Sequence, residues 1–314
     1  MGRRPPGRRT HCEGAVAVSD GVIPAIEELV ALRAAVTGRR TPRRGSHGGG
    51  QAISPMRGRG MEYAESREYA AGDDARHIDW RVTARTGRAH TKLYQAERER
   101  LSLIVADTAA NLYFGTRVRF KSVQAARAGA IAAWAAIRDG DRVAALRGST
   151  IEPPVSPAGG ARGALRVIEA LARWYAAPAD DDKGLAVALD HAQRVLRPGS
   201  RVLVLADPAS VAAMPASRWT ALARHQEVVL LLLTDPLEAD PPPAVLPFEA
   251  GGHRVEVDLA GDAARQRWDA EFSAPVRMAL KTLPTRGVRV HVLSSDAPSE
   301  SWLALQDRRP ALVA

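Results

Sequence analysis

The fold of this chain is predicted from a stretch of seven residues, 101–107, which reads Leu-Ser-Leu-Ile-Val-Ala-Asp. Six uncharged residues have the length of a buried strand, and the aspartate after them marks the strand's carboxyl end. Two later stretches have the same design, Val202 to Ala206 before Asp207 and Val228 to Leu233 near Asp235. Uninterrupted apolar strands of this kind are typical of parallel sheets buried on both faces.

Amphipathic segments separate these strands and predict the helices that cover the sheet. The predicted helices are 122–137, 163–175, 185–196, 217–225 and 263–283, and further strands are predicted at 142–146 and 288–293, with a small edge strand at 254–259. Alternation of apolar strands and amphipathic helices indicates the α/β class, with a mostly parallel, Rossmann-type sheet and helices on both faces.

The length of 314 residues leaves room for a large α/β domain and a smaller module. Three regions are predicted: a disordered basic leader at 1–20, a region at 21–100 and the α/β domain at 101–314. The middle region comprises a short helix at 23–36, an Arg/Gly-rich linker and a charge-dense module. The leader buries little apolar surface, so we expect it to be dispensable for folding.

The net charge of +9 is concentrated near the N-terminus, where residues 1–60 hold 11 arginines against 4 acidic residues. Nucleic-acid binding through this arginine tail is therefore one alternative function. Few aromatic residues lie among these arginines, so bases have no obvious stacking platform, and nucleic acid is an unlikely partner.

Several classes of protein are excluded by absent motifs. No run of 18 or more apolar residues occurs, and the N-terminus lacks the apolar core of a signal peptide, so we expect no membrane span and a cytoplasmic location. Cys12 is the one cysteine, which excludes intrachain disulfides and a Cys-based zinc site. Phosphate-binding loops and common hydrolase motifs are also missing.

The charge-dense module contains a predicted turn at Gly72-Asp73-Asp74, followed by a short helix. Asp74 is expected to cap this helix, which runs through Trp80 and ends at Gly87. A strand is predicted at 90–95. Because aromatic residues are interleaved with the charges, we expect Trp80 to be buried as the anchor of a network of arginine–carboxylate pairs. The residues assigned to this structural or interaction network are Arg67, Gly72, Asp73, Asp74, Arg76, Asp79, Trp80 and Arg85.

The aspartates after the strands are the candidate chemical groups. Ligands of open parallel sheets bind beyond the carboxyl ends of the strands, and carboxylates there can hold Mg²⁺. A metal-dependent hydrolase using Asp107, Asp207 and Asp235 is therefore a second alternative function. We identify no His, Lys or Cys positioned beside these aspartates, which argues against it, and Asp after a strand is also a common turn or cap residue.

The module resembles the signature of the bacterial "domain of unknown function 58" family, and the resemblance covers about residues 25–300. The matching stretches are Gly60-Met61-Glu62-Tyr63, Arg67-Glu68-Tyr69, residues 72–80, Ala84-Arg85-Thr86-Gly87 and Glu97-Arg98-Glu99. The resemblance implies a von Willebrand factor A-like α/β domain after the module. It also implies chaperone or assembly work with a MoxR-type AAA+ ATPase, since family members are often encoded beside such ATPases. The leading hypothesis is a non-enzymatic protein-interaction module without catalytic residues.

The resemblance further implies a magnesium site, because von Willebrand A-like domains often bind Mg²⁺ at an Asp-x-Ser-x-Ser motif. Asp107 matches that aspartate and Asp207 the later acidic residue, but Ala109 and Asn111 replace the two serines. The set Asp107, Asn111 and Asp207 is therefore expected to be degenerate, with weak Mg²⁺ binding at most and no other cofactor. Arg162 is a candidate cation that would relieve the repulsion between the two carboxylates.

Overall fold

The computed structural model describes residues 21–37, 61–96, 100–250 and 253–306, which divide into two compact units. The α/β unit comprises the described residues 21–37 and those from 100 onward, and the module unit comprises 61–96. The predicted boundaries differ here, because they grouped the N-terminal helix with the module, whereas its Leu29 and Val36 belong to the core of the α/β unit. The predicted leader at 1–20 lies outside the described residues.

The elements follow one another in the order expected for an α/β chain. The described helices are α1 Ile26–Ala31, α2 Arg33–Thr37, α3 Trp80–Thr86, α4 Lys121–Arg138, α5 Gly160–Trp174, α6 Gly184–Val195, α7 Pro208–Ala212, α8 Ala216–Ala223, α9 Pro236–Ala239, α10 Asp262–Trp268, α11 Ala274–Thr282 and α12 Leu303–Gln306. The described strands are β1 Met61–Glu68, β2 His90–Ala96, β3 Leu101–Ala106, β4 Arg142–Arg147, β5 Val155–Ala158, β6 Arg201–Ala206, β7 Glu227–Thr234, β8 Val245–Ala250, β9 His253–Asp258 and β10 Val288–Ser294.

The central sheet has six strands in the order β10-β7-β6-β3-β4-β5. All neighbouring pairs are parallel except β4 and β5, which are antiparallel. The predicted α/β class with a mostly parallel sheet is confirmed. The carboxyl ends of β3, β6 and β7 lie side by side, because these strands are neighbours in the sheet.

Helices cover both faces of this sheet, as the alternation of side chains along β3 shows. Ile104 and Ala106 point into a core shared with α1, α2, α4 and α5, whereas Leu103 and Val105 point into a second core shared with α6, α8 and α11. Burial on both faces explains why the strand sequences are continuously apolar.

Two predicted elements differ from the structure. The strand predicted at 254–259 is β9, which pairs with β8 in a separate antiparallel hairpin and is not an edge of the central sheet. The helix predicted over 263–283 is divided into α10 and α11 by a π-helical turn at Asp269–Ser273. Pro275 follows this turn, and proline cannot donate the backbone hydrogen bond that a regular helix requires there.

The module unit is built on an antiparallel pair, β1 and β2, with α3 between them. Strand β1 is absent from our prediction, and its pairing with β2 shifts register at a bulge between Tyr63 and Glu65. Gly87 ends α3 in the left-handed conformation, with φ of 72°, as predicted from the glycine.

None of the helices in the described part of the chain combines the length and the apolar character needed to cross a bilayer.

Candidate functional site

Three buried aspartates gather at the carboxyl edge of the central sheet, as the sequence predicts. Asp107 follows β3, Asp207 follows β6 and Asp235 follows β7, and all three are buried. The backbone N–H of Asp207 donates to Asp107 Oδ2 at 3.0 Å, which joins the first two directly. Asp107 and Asp207 thus lie at one edge of the sheet, because they follow neighbouring parallel strands.

Each aspartate also holds local backbone in place. Asp207 Oδ1 accepts from the N–H of Ala209 at 2.9 Å and caps α7, and Asp107 Oδ1 accepts from the N–H of Ala109 at 3.2 Å. Asp235 caps α9 and forms a reciprocal capping box with Glu238, whose Oε2 accepts from the N–H of Asp235 at 2.9 Å. The alternative role as cap residues is therefore present in the structure.

A buried lysine lies among these acids, contrary to our inference that no lysine is positioned beside them. Lys121 Nζ donates to Asp207 Oδ2 at 2.7 Å and to Glu238 Oε1 at 2.5 Å, and its side chain is 1% exposed. Arg162, the cation considered from the sequence, is exposed on α5 instead. We call Asp107, Lys121, Asp207, Asp235 and Glu238 the acid–lysine cluster.

Sequence reasoning missed both Lys121 and Glu238. For Glu238 a usable signal existed, since Asp235 and Glu238 have the spacing of a capping box directly after a strand. For Lys121 there was none, because lysine at the start of a helix is ordinarily solvated.

The charges in the cluster perturb one another. Burial alone would lower the pKa of Lys121, but the negative charges of Asp207 and Glu238, and the hydrogen bonds to them, raise it above its ordinary value. Burial raises the pKa of Glu238, and the attraction of Lys121 offsets this only in part. One ammonium group therefore serves two buried carboxylates.

Asp107 lies at the end of the cluster without an ammonium partner. Burial raises its pKa to about 6, although hydrogen bonds from the side chain of Ser210 and from the N–H groups of Asp207 and Ala109 act in the opposite direction. The charge of Asp207 adds to the increase. Asp107 therefore protonates in mildly acidic solution, at a higher pH than a free aspartate does.

Asp235 is fully buried and bound from several sides. Thr116 donates to it through both its N–H and its hydroxyl, at 3.0 and 2.5 Å, and the hydroxyl of Ser295 donates at 2.6 Å. Leu237 supplies a fourth donor from its N–H at 3.0 Å. The carboxylate therefore ties β7 to the loops before α4 and after β10.

Asn111, the third predicted metal ligand, lines a small cavity with Asp207, Glu238 and Phe272. The structure thus brings Asn111 and Asp207 together, while both oxygens of Asp107 accept hydrogen bonds from backbone. Within the described ranges, no three His, Cys, Asp or Glu side chains are arranged to hold a metal ion.

The module unit contains one of the predicted arginine–carboxylate pairs around its turn. Arg67 Nη2 donates to Asp73 Oδ1 at 2.7 Å, and Asp73 Oδ2 accepts from the N–H of Ala70 at 2.9 Å. The hydrogen bond from Ala70 and the charge of Arg67 hold the pKa of Asp73 below its usual value. Gly72 has a φ of 108°, a conformation that favours glycine.

The next two acids of the signature cap helices. Asp74 caps a 3₁₀ turn at Ala75–His77 rather than the longer helix predicted for it. Asp79 caps α3 by accepting from the N–H groups of Arg81 and Val82, and the hydroxyl of Ser66 donates to its second oxygen at 2.9 Å.

The prediction that Trp80 is a buried anchor is wrong, because its side chain is 71% exposed. Trp80 is the first residue of α3, and Arg81, Ala84 and Arg85 are also exposed on this helix. At 100° per residue these four positions lie within one side of the helix. Arg76 is exposed as well, in the turn before α3. Trp80 and the basic residues Arg76, Arg81 and Arg85 therefore face solvent.

Fold and site together define an α/β protein with a buried acid–lysine cluster at the carboxyl edge of its sheet and a separate β-hairpin module. The chain belongs to the family described as "Protein of unknown function DUF58", which it matches over residues 65–275. The resemblance inferred from the signature motifs is thereby confirmed at the level of this family.

Curated relatives include uncharacterized protein Rv1480 of Mycobacterium tuberculosis and uncharacterized protein Mb1516 of Mycobacterium bovis. Each is 32% identical to this chain over 198 residues, which is 62% of this chain and 61% of the relative. The match thus spans about three-fifths of the length of these relatives. No solved structure matches the chain.

Proposed function

We propose that this chain is a non-enzymatic protein-interaction module of the cytoplasm that binds a protein partner through the exposed side of α3. The observation that carries the proposal is the exposure of Trp80 within the family signature. Tryptophan and arginine are the residues most enriched among the side chains that dominate binding energies at protein interfaces. Here Trp80 is accompanied on the same side of one helix by Arg81 and Arg85.

The chemistry of this surface indicates the kind of partner. Two arginines beside an apolar ring favour an acidic surface with a pocket for the indole, because complementary charge steers the encounter and burial of the ring stabilises the complex. Of the partner classes, we propose the MoxR-type AAA+ ATPase that the family resemblance implies.

The arrangement of the acid–lysine cluster supports a role without catalysis. A hydrolase needs a carboxylate free to act as a base or to hold a metal-bound water. The carboxylates of Asp107, Asp207 and Asp235 instead cap helices and bind backbone N–H groups and neighbouring side chains. The hydrolase alternative therefore gains no support from these contacts.

The finer fold assignment, a von Willebrand A-like domain, is part of the proposal. It is supported by the mostly parallel sheet with helices on both faces, and by Asp107 and Asp207 at the ends of neighbouring strands. Nucleic-acid binding through the N-terminal arginine tail is the other alternative; of the arginines in residues 1–60, the described residues include Arg33, which lies over the ring of Trp134.

Binding measurements with a purified MoxR-type ATPase from the same genome test the proposal. We expect Trp80→Ala to weaken binding by about 2 kcal/mol, or roughly 30-fold, while circular dichroism stays unchanged. Ile151→Ala is the matched control, since Ile151 is 79% exposed but lies in the α/β unit, and we expect it to bind like the parent.

A charge-reversal variant, Arg81→Glu with Arg85→Glu, separates steering from burial of the indole. It is expected to slow association and to flatten its dependence on salt. Binding of the folded Trp80→Ala variant at parental affinity would refute the proposed surface. Failure of the parent to bind any MoxR-type ATPase of that genome would refute the proposed partner.

A further inference from the structure

The position of Lys121 is unusual for its residue type. A lysine side chain that is 1% exposed has lost its hydration, which is costly unless its charge is balanced closely. Lys121 is moreover the first residue of α4, where the positive end of the helix dipole disfavours a cation. Burial and the helix dipole both disfavour a charged lysine at this position, so its charge must be stabilised by its two carboxylate partners.

One of those partners, Asp207, belongs to the set at which the family resemblance implies a divalent cation, and Glu238 shares the ammonium group with it. Asp207 Oδ2 and Glu238 Oε1 both point at Lys121 Nζ, at 2.7 and 2.5 Å. Asp207 directly follows β6 and Glu238 lies in α9, the short helix after β7, so a cation between them holds together the segments that follow two neighbouring strands. Lys121 links both to the start of α4.

The donor atoms do not fit a divalent ion in this arrangement. Mg²⁺ requires six oxygens at about 2.1 Å. All eight carboxylate oxygens of Asp107, Asp207, Asp235 and Glu238 already accept a hydrogen bond from the protein. An ammonium group in contact with two of the four acids would also repel a second cation.

We infer that the ammonium group of Lys121 is a built-in cation that replaces the divalent ion at the carboxyl edge of this sheet. The stability of this edge of the sheet consequently does not depend on a bound metal ion in the parent chain. Removal of the lysine leaves Asp207 and Glu238 facing each other unbalanced, and a divalent cation then becomes favourable between them.

Thermal unfolding of the parent and Lys121→Ala, each with EDTA, Mg²⁺ or Mn²⁺, tests the inference. The parent midpoint is expected to be the same in all three conditions. The Lys121→Ala midpoint is expected to be lower in EDTA and to rise with millimolar Mn²⁺ or Mg²⁺, but not with NaCl of equal ionic strength. Lys281→Ala, which removes an exposed lysine from α11, is the control and should show neither effect.

If Lys121→Ala does not fold, a second set of variants tests whether Lys121 balances the charges of Asp207 and Glu238. Combining Lys121→Met with Asp207→Asn and Glu238→Gln removes all three charges, while Asn still caps α7 and Gln still accepts from Asp235. This triple variant should unfold at a higher temperature than Lys121→Met alone. A triple variant no more stable than Lys121→Met, a parent stabilised by Mg²⁺, or a folded Lys121→Ala indifferent to both metals would each overturn the inference.

Discussion

At the scale of single residues, the polar Asp79 is buried and the aromatic Trp80 is exposed, the reverse of what their side chains suggest. The carboxylate is buried because it binds two N–H groups of α3 and the hydroxyl of Ser66, whereas the indole is exposed. The preference of aromatic residues for the interior is a tendency across proteins, and the direction of one side chain at the start of a helix overrides it. Exposure of Trp80 therefore could not be predicted from the sequence.

The burial of Asp79 and the exposure of Trp80 lead to a prediction about the stability of the module unit. Asp79→Ala is expected to lower the free energy of unfolding, because the first N–H groups of α3 lose their acceptor. Trp80→Ala should change it by no more than about 0.5 kcal/mol, as is usual at exposed positions. Chemical denaturation monitored by circular dichroism measures both, and a larger loss for Trp80→Ala than for Asp79→Ala would contradict the exposed position of the ring.

Asp107 makes stability depend on pH. Its pKa is about 6 in the folded chain, against an ordinary value of about 3.9, so the folded state holds its proton more tightly. This tighter proton binding adds about 3 kcal/mol to the free energy of unfolding. The added stability is fully present below about pH 4 and is lost as the pH rises through 6. Relative to the parent, Asp107→Asn should therefore gain stability between pH 4 and 7.

Urea unfolding of the parent and of Asp107→Asn at a series of pH values measures this gain. Asp180→Asn, at an exposed position, is the control and should show no such trend. A difference between Asp107→Asn and the parent that stays constant across the range would mean that Asp107 remains ionised throughout.

At the scale of elements, the central strands, most helices and the aspartates at the strand ends were predictable, whereas the buried lysine between those acids was not. Strand β3 and its neighbours are continuous apolar runs, so their type and place follow from composition. Lys121 is identified as a buried group only when α4, β6 and β7 are seen to converge. The edge strand β5 contains a proline and is four residues long, so it lacked a usable pattern.

A second charged cluster, of arginines and acids, lies at the amino-terminal ends of the central strands, where Arg201 also pairs with Asp139 at 3.4 Å. Glu227, at the start of β7, binds Arg100 and Arg289, and Arg201 lies 3.7 Å away. Burial alone would raise the pKa of Glu227, but the charges of Arg289, Arg201 and Arg100 lower it to about 2. The cluster connects β7 with β10, β6 and the residue before β3.

Glu227→Gln is accordingly expected to destabilise the α/β unit at neutral pH. Because about a third of the Glu227 side chain is exposed, solvent screening limits the loss to about 1 kcal/mol. Because the pKa of Glu227 is lowered in the folded chain, its carboxylate stabilises the fold above about pH 4.5, and this stability is lost as the pH falls toward 2. Thermal midpoints at pH 7 and pH 3 measure the effect, with the exposed Glu169→Gln as control; equal midpoints for Glu227→Gln and the parent at pH 7 would contradict it.

At the scale of the whole molecule, the α/β unit is discontinuous in sequence. The helices α1 and α2 precede the module in the sequence, but they pack on α4 and α5, which follow it. Leu29 and Val36 are 0% and 2% exposed, and Arg33 lies over the ring of Trp134 at 5.4 Å. The sequence predicts a helix here, but nothing in it indicates which unit the helix joins.

Two truncations distinguish the leader from the helices. Deletion of residues 1–20 is expected to leave the thermal midpoint nearly unchanged, as predicted from the sparse apolar content of the leader. Deletion of residues 1–37 removes the burial of Leu29 and Val36, and should cost about 3–6 kcal/mol. Scanning calorimetry of both chains measures the difference, and equal midpoints would show that the helices contribute nothing.

The discontinuity of the α/β unit also sets the order in which a ribosome makes its parts. The helices α1 and α2 leave the ribosome first, but their packing surface is complete only when α5 ends at Trp174, 137 residues after Thr37. At about 5–20 residues per second, the nascent chain exposes Leu29 and Val36 for roughly 7–27 s. During that interval the nascent chain displays apolar side chains whose packing partners have not yet been synthesised.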